Sequence, residues 1–481
     1  MESSAATPAE STEQIETCRR VFEVQQQAFR HNPMPALAER KENLERLKQA
    51  LLANQERLVN AIDQDFSSRS KDESLIAEIM PAVQGINHAL KHISGWMKPS
   101  RRPVSMLFQP ASNRVQYQPK GVVGIIVPWN YPLYLAVGPL ISALAAGNRC
   151  MIKMSEFTPA TSALFRDIIR DTFSEDLVAV ITGEADVAAD FSGKPFDHLL
   201  FTGSTSVGKL VMRAAAENLT PVTLELGGKS PALISPDMPL TDAATRIAFG
   251  KALNAGQTCV APDYVLCPTE QIPDFVTAFR KAFTRMYPKL RDNTDYTAII
   301  NDRQYQRLQS YLDDARTQGA ELVTINPADE NLSEGTRKLP MTLALNTTPD
   351  MKVMQDEIFG PILPVVGYQS LDEAINYIND RPRPLALYFF GYEKPQQDHV
   401  LENTHSGGVC INDTLMHVAQ DDLPFGGIGD SGMGHYHGKE GFLTFSHQRG
   451  IFARQKFNSG RFVHPPHGTL IHRLVYKLFI R

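Results

Sequence analysis

The stretch Asn254 to Pro262, NAGQTCVAP, sets one cysteine among small and uncharged polar residues and ends in a proline that cannot continue a helix. Ala255 and Gly256 let backbone approach a bound molecule closely, and Gln257 and Thr258 bring hydrogen-bonding groups without charge. Cys259 is a useful nucleophile only as its thiolate, which needs a donor-rich surrounding and a nearby base. The candidate base is Glu225, 34 residues upstream in LELGGKSP (Leu224 to Pro231). Leu224 and Leu226 read as buried neighbours that raise its pKa toward general-base range. A single cysteine in a half-apolar run is ordinarily a core residue; the two segments together make it a catalytic candidate.

Outward from this pair, Gly121 to Val127 is a β-branched run bounded by glycine and proline, which predicts a buried parallel strand. Asn130 follows at its C-terminal end, where ligands of open α/β sheets gather. Its amide can donate to a developing oxyanion, with the Cys259 backbone N–H as second donor; a plain turn role is the alternative. Leu133 to Ala146 reads as a helix and Arg149 to Lys153 as the next strand. Lys153 and Glu156 then lie three apart on one loop, a spacing that can bind vicinal ribose hydroxyls. Leu177 to Gly183 and His198 to Thr202 read as strands around the helical Glu184 to Phe191. GSTSVG follows, with Gly203 and Gly208 opening a helix to which a pyrophosphate could come close. The alternation from Gly121 to Glu225 predicts a doubly wound cofactor domain. Beyond a hinge at Gly227-Gly228, Asp242 to Leu253, Ile272 to Met286, Tyr305 to Gln318 and Leu371 to Ile378 read as helices. Tyr264 to Cys267, Val365 to Tyr368 and Ala386 to Phe390 read as strands of a second α/β unit. At the front, Leu44, Leu47, Leu51, Leu58 and Ile62 give a helical period between Ile15 and Phe66. Ser70 to Trp96 continues the helical run, Arg101-Arg102-Pro103 breaks it, and Val104 to Gln118 is expected to be extended.

LELGGKSP and GQTC at this spacing resemble the NAD(P)-dependent aldehyde dehydrogenase superfamily. PWNYP (Pro128 to Pro132), IKMSE (Ile152 to Glu156), FTGSTSVG (Phe201 to Gly208), EIFGP (Glu357 to Pro361) and LPFGGIGDSGMG (Leu423 to Gly434) occur in the family's order. Tyr131 after the asparagine and APDY (Ala261 to Tyr264) after the cysteine look like the class 3 branch, and within it like coniferyl aldehyde dehydrogenases. The resemblance implies an α/β aldehyde dehydrogenase-like fold of two doubly wound domains with a small oligomerisation strand extension. The cofactor-binding domain is expected over 1–100 and 119–226, the catalytic domain over 227–425, bridging segments over 101–118 and 445–481, and a Gly-rich return loop over 426–444. It implies that Ser204 contacts phosphate, that Glu357 holds the nicotinamide ribose with Phe359 and Trp129 nearby, and that the protein is a homodimer. Met154 stands where the family commonly has proline.

At 481 residues with 42% apolar side chains the chain can bury more than one core. Its 48 Lys plus Arg against 53 Asp plus Glu, a net charge of −5, argue against nucleic acid or an anionic membrane as the main partner. Five scattered cysteines without a CxxC point to a reducing, cytoplasmic setting, with Cys410 in GVCIND an inert core thiol. The N-terminus has no leader pattern, and its first ten or so residues are expected to be disordered. His435, His437 and His447 lack the spacing of a zinc site, so no metal is expected. Leu470 to Ile480 forms an amphipathic tail helix, with Arg473, Lys477 and Arg481 off its apolar face. It is too short to span a bilayer and is expected to serve as a lid or dimer contact, or to pack on its own subunit.

The reading is therefore oxidation of an aldehyde to its acid with hydride transfer to NAD, NADP being tolerated. Tyr131 and Tyr134, three apart on the helix after Asn130, should face Cys259 together and favour a flat aromatic aldehyde of the coniferyl type. Thr258, Val260 and His417 complete the expected pocket, His417 or Asp421 meeting a phenol. A medium or long aliphatic aldehyde is the alternative substrate, and a cofactor-free thiol hydrolase the remote alternative class.

Overall fold

The computed structural model describes residues 8–332 and 335–480. In chain order its strands are β1 (Ser100–Arg102), β2 (Ala111–Pro119), β3 (Val122–Ile126), β4 (Arg149–Lys153), β5 (Val178–Ile181), β6 (His198–Thr202), β7 (Val222–Glu225) and β8 (Pro231–Ile234). They continue with β9 (Tyr264–Pro268), β10 (Glu321–Ile325), β11 (Met341–Leu345), β12 (Ile362–Tyr368), β13 (Ala386–Phe390), β14 (Gly408–Ile411), β15 (Gly432–Met433) and β16 (Ser446–Arg454).

Two sheets carry the molecule. The first has the order β15-β7-β6-β3-β4-β5 and is parallel apart from β15. The second has the order β10-β11-β12-β9-β8-β13-β14 and is parallel apart from β10. All five residues of β3 are buried, as are all four of β5 and all five of β6. Helices cover both faces of a parallel sheet, so its strands read as near-continuous apolar runs. The helix Pro159–Thr172, which crosses from β4 to β5, is absent from the sequence-based expectation; its Ala and Ser content hid the apolar stripe of Phe165, Ile168 and Ile169.

The helical front packs as its period predicts: Leu44, Leu47, Leu51, Leu58 and Ile62 are all fully buried. Two expectations are corrected here. Residues 1–7 lie outside the described residues, but a helix already begins at Pro8, so 8–10 are ordered into its first turn. Val104 to Gln118 is not continuously extended, because a 3-10 turn at Met106–Phe108 precedes β2. β2 then pairs with β1 and β16 in a three-stranded sheet.

The Gly-rich return loop folds back on the first sheet, where Gly432 registers against Glu225 and Met433 against Leu224. Near the other candidate residue, the helix Leu240–Ala252 ends in a left-handed bend: Asn254 and Ala255 have φ 50° and Gly256 φ 76°. A Cβ on Gly256 would lie 2.5 Å from the Gly360 carbonyl oxygen. Gly256→Ala is therefore expected to lose about 1–3 kcal/mol of stability and to displace the cysteine turn. Denaturant unfolding together with turnover checks this, and a variant with parental midpoint and rate would contradict it.

Candidate active site

Three residues from three parts of the chain define the site. Cys259 is half-buried in a turn closed by Ala261 N–H donating to Thr258 O at 2.9 Å. Glu225 ends β7, is 2% exposed, and has no hydrogen-bond partner for either carboxylate oxygen among the described residues. Asn130 follows β3; its Nδ2 donates to Gln257 O at 3.1 Å, and its own carbonyl accepts from Asn254 Nδ2 at 3.0 Å. Gln257 in turn donates to Asn254 O and Ala298 O and accepts from Ile300 N–H. The cysteine turn and the Asn130 turn are thus one hydrogen-bonded unit.

The electrostatics decide how the thiol can react. Burial pushes Cys259 up to about 12, and the Glu357 and Glu225 carboxylates push the same way; its own N–H and that of Val260 favour the thiolate. Burial alone, among Leu224, Leu226 and their neighbours, holds Glu225 well above the usual carboxylate range. Both shifts favour the neutral forms, thiol and protonated acid, and two anions together in this pocket are costly.

A second carboxylate borders the site. Glu357 lies against Gly227 Cα, where a side chain of any size would clash with both carboxylate oxygens. Burial and Asp263 raise its pKa to about 8, opposed by the Gly228 N–H, Lys229 and Arg307. The segment is held by Asp263, which accepts from Ile358 N–H at 3.1 Å and pairs with Lys229 at 2.6 Å. Lys229 also donates to Val353 O and Asp356 O, and Arg307 to Ile358 O. Lys251 is fully buried 3.8 Å from Asp263 and has no hydrogen-bond partner among the described residues. Desolvation brings it down to about 8. Phe359, at φ 51°, meets Trp129 edge to face at 5.3 Å.

The proposed cofactor ligands sit at the C-terminal ends of the first sheet. Lys153 ends β4 and donates to Met154 O and Gly183 O, which uses two of its three protons. Glu156 is half-exposed on the loop beyond. Gly203 precedes the helix Thr205–Ala216, Gly208 is buried within its first turn, and Ser204 caps it by accepting from Val207 N–H. Glu357 Oε1 is buried without a partner, an acceptor that a ribose hydroxyl would satisfy. A dinucleotide fits these residues: carboxylate and ammonium for hydroxyls, a helix N-terminus for phosphate.

The helix starts at Tyr134, so Tyr131 lies in the turn before it and the two are not three apart on one helix as expected. Tyr131 Oη meets Thr258 Oγ1 at 2.7 Å beside the cysteine, whereas Tyr134 Oη meets His437 Nε2 at 3.4 Å. Val260 accepts from the Tyr388 hydroxyl. His417 packs edge to face on Tyr388, and burial brings it down to about 4; both its ring nitrogens are buried with no hydrogen-bond partner among the described residues. Asp421 is half-buried near His88 and Tyr134.

Sequence reasoning missed Tyr388, Tyr436, Phe425 and Asp263. Tyr436 is fully buried, and its phenol is destabilised as an anion by burial, then by Tyr134, Glu225 and Cys259. Phe425 stacks on His437 at 5.3 Å. Asp263 carried a readable signal, an acid inside the apolar VAPDYVLC. Of the three histidines weighed for metal, His437 is buried on the pocket wall while His435 and His447 are exposed. Among the described residues no group of three or more His, Cys, Asp or Glu is arranged to hold a metal ion.

The sequence profile of the Aldehyde dehydrogenase family matches residues 2–451, and the chain belongs to that family. It is 60% identical over 473 residues to a "Probable coniferyl aldehyde dehydrogenase" of Pseudomonas aeruginosa, covering 98% of each chain. It is 41% identical over 424 residues to "Aldehyde dehydrogenase family 3 member A2" of Mus musculus, covering 88% of this chain and 86% of the relative. Among solved structures, Staphylococcus aureus AldH in a substrate-bound state superposes with TM-score 0.91 at 38% identity, over 96% of this chain and 99% of that one. Pseudomonas syringae indole-3-acetaldehyde dehydrogenase in complex with NAD+ and IAA superposes with TM-score 0.83 at 26% identity, over 92% and 89%. The enzyme is an aldehyde dehydrogenase.

Cys259→Ala should abolish turnover while leaving NAD binding, read by Trp96 and Trp129 fluorescence, nearly intact. Substantial residual turnover would remove Cys259 from the mechanism. Glu225→Gln should keep one burst of NADH per site but lower steady turnover about 100-fold or more. Because burial raises the pKa of Glu225, its base form grows as pH rises; hydrolysis in the parent should speed up with pH, and the variant should lack that rise. Equal loss of burst and steady phase would place Glu225 before hydrolysis.

Proposed function

We propose that this enzyme oxidises an aromatic aldehyde of the coniferyl type to its carboxylic acid with NAD as hydride acceptor. The observation that carries the substrate class is the aromatic wall about Cys259: Tyr131 and Tyr388 through Thr258 and Val260, and Tyr436 through its electrostatic reach to the thiol. Aromatic walls favour flat rings by about 0.5–1.5 kcal/mol per contact beyond burial. The names borne by the relatives, coniferyl and indole-3-acetaldehyde dehydrogenases, support the same class. No basic cluster faces the pocket, which disfavours anionic aldehydes.

In this reading Cys259 attacks the carbonyl carbon as its thiolate, its proton having passed to solvent. The new alkoxide is stabilised by the second N–H of Asn130 Nδ2 and by the Cys259 N–H. Glu357, Lys153 and Glu156 would hold NAD, with Ser204 toward its pyrophosphate, and NAD would supply the acceptor for the hydride that leaves the carbon. Glu225 then takes a proton from water, which attacks the thioester and releases the acid and the thiolate. Glu156 beside the ribose disfavours a 2′-phosphate, so NAD is preferred and NADP tolerated. All five cysteines are free thiols, in keeping with a reducing cytoplasm.

The kcat/KM order across coniferyl aldehyde, benzaldehyde, decanal and acetaldehyde tests the substrate class. Coniferyl aldehyde should lead; decanal first would favour the aliphatic reading, and acetaldehyde first would refute the broad aromatic pocket.

The protein acts, in the same proposal, as a homodimer. The helix Leu470–Phe479 leaves Leu470, Leu474 and Leu478 81%, 59% and 60% exposed, so packing on its own subunit does not cover it; Arg481 lies outside the described residues. Phe108 and Phe452, in contact at 6.5 Å, add exposed apolar surface on the three-stranded sheet. No helix among the described residues is long and apolar enough to cross a membrane. Deleting the residues after Gly468 should convert a dimer to monomer in sedimentation velocity; an unchanged dimer would free the tail from this role, and liposome binding by the full chain would assign it to a lipid surface.

A further inference from the structure

Behind the reacting residues lies a buried ion cluster of Arg69, Glu73 and Glu78. Arg69 has a fully buried side chain, its guanidinium carbon 4.8 Å from the ring centres of both Phe66 and Tyr131. Its Nη1 donates to the Asn130 carbonyl at 2.9 Å. It pairs with Glu78 at 3.1 Å and lies 3.6 Å from Glu73. The two acids reach onward. Glu78 Oε2 accepts from Leu133 N–H at 2.7 Å and Tyr134 N–H at 3.1 Å, at the start of the helix after Asn130. Glu73 accepts from Thr297 Oγ1 at 3.5 Å, and the backbone N–H of Asn254, the left-handed residue that opens the cysteine turn, lies near enough to favour its anion.

The local chain explains how two acids five apart meet one guanidinium. Glu73 lies in the helix Lys71–Ser74, and a single π turn, Leu75–Ile79, follows and contains Glu78. In a regular α-helix residues five apart diverge; the wider π turn brings them toward one side, and such turns recur at functional sites. A buried cluster of one cation and two carboxylates is poor value as a stabiliser, since apolar residues of similar size would serve as well or better. Its backbone partners here are the Asn130 carbonyl and the N–H groups of Leu133 and Tyr134, which follow it in the chain.

We infer that Arg69, seated between Phe66 and Tyr131 and tied to Glu73 and Glu78, is a positioning residue that fixes the Asn130 amide against the cysteine turn. This rests on the reading of Asn130 as oxyanion donor. Arg69 reaches no reacting atom; it donates to the same Asn130 carbonyl that accepts from Asn254 Nδ2, so two donors fix that peptide. Loss of that grip moves the donor away from where the alkoxide forms, and displacements of about 1 Å cost on the order of a hundredfold in rate.

The test is a double-mutant cycle on the full-length enzyme. Arg69→Lys keeps the charge and loses the planar fork; kcat should fall about tenfold to a hundredfold. KM for NAD and the fluorescence change on NAD binding should stay as in the parent. In an Asn130→Ala background the same change should cost no more than about twofold, since the group it positions is gone. A second variant, Arg69→Met with Glu73→Gln and Glu78→Gln, removes every buried charge while the glutamine carbonyls still accept from the same N–H groups; it should fold and remain slow. The proposal is overturned by parental kcat in Arg69→Lys, by an equal loss in both backgrounds, or by full activity in the neutral triple variant. Parental kcat in Asn130→Ala is a different result: it removes the oxyanion assignment itself, and this role for Arg69 with it.

Discussion

The reciprocal bonds between Asn130 and the cysteine turn are the constraint on which the site depends. Asn130 belongs to the end of β3 in the first sheet, and Asn254 to Cys259 lead into β9 of the second. Asn130 Nδ2 on Gln257 O and Asn254 Nδ2 on Asn130 O tie the two sheets together beside the thiol. A nucleophile and an oxyanion donor carried on different sheets would otherwise follow any relative motion of those sheets. The left-handed bend at Asn254 to Gly256 is the backbone cost of bringing the turn close enough for both bonds.

Around that knot the enzyme concentrates acid groups with little countercharge. Glu225 and Glu357 both act on the one thiol, while Lys229 and Lys251 pair with Asp263. The effect is selective. Asp263 is paired and holds the Glu357 segment, Glu357 is raised to about 8 and keeps an open oxygen, and Glu225 has no hydrogen-bond partner among the described residues. Three carboxylates of one chemistry thereby acquire three uses, set by the number of donors each is given.

Much of this was legible from residues alone. The strand–helix order from Gly121 to Glu225 and the buried face of the front helices follow from period and local punctuation, which survive folding unchanged, whereas Cys259, Glu225 and Asn130 are marked by the motifs that carry the resemblance. The pairing of Tyr131 with Tyr134 on one helix does not hold, because the helix begins at Tyr134 and Tyr131 lies in the turn before it. Arg69, Glu73 and Glu78 were invisible for another reason. In RSKDESLIAE they look like a solvated charged face, and only the π turn and the distant Asn130 carbonyl turn them inward. His417, expected in the pocket, packs edge to face on Tyr388 of β13.

The pairing of β15 with β7 has a consequence in time. Glu225 is complete as a strand residue early in the chain, yet its edge partner Gly432 lies some two hundred residues later. Until that segment leaves the ribosome, the β7 edge at Glu225 lacks its antiparallel neighbour. The first sheet is therefore completed at this edge only when nearly all of the chain has been made, an order imposed by long-range pairing and not by any local sequence.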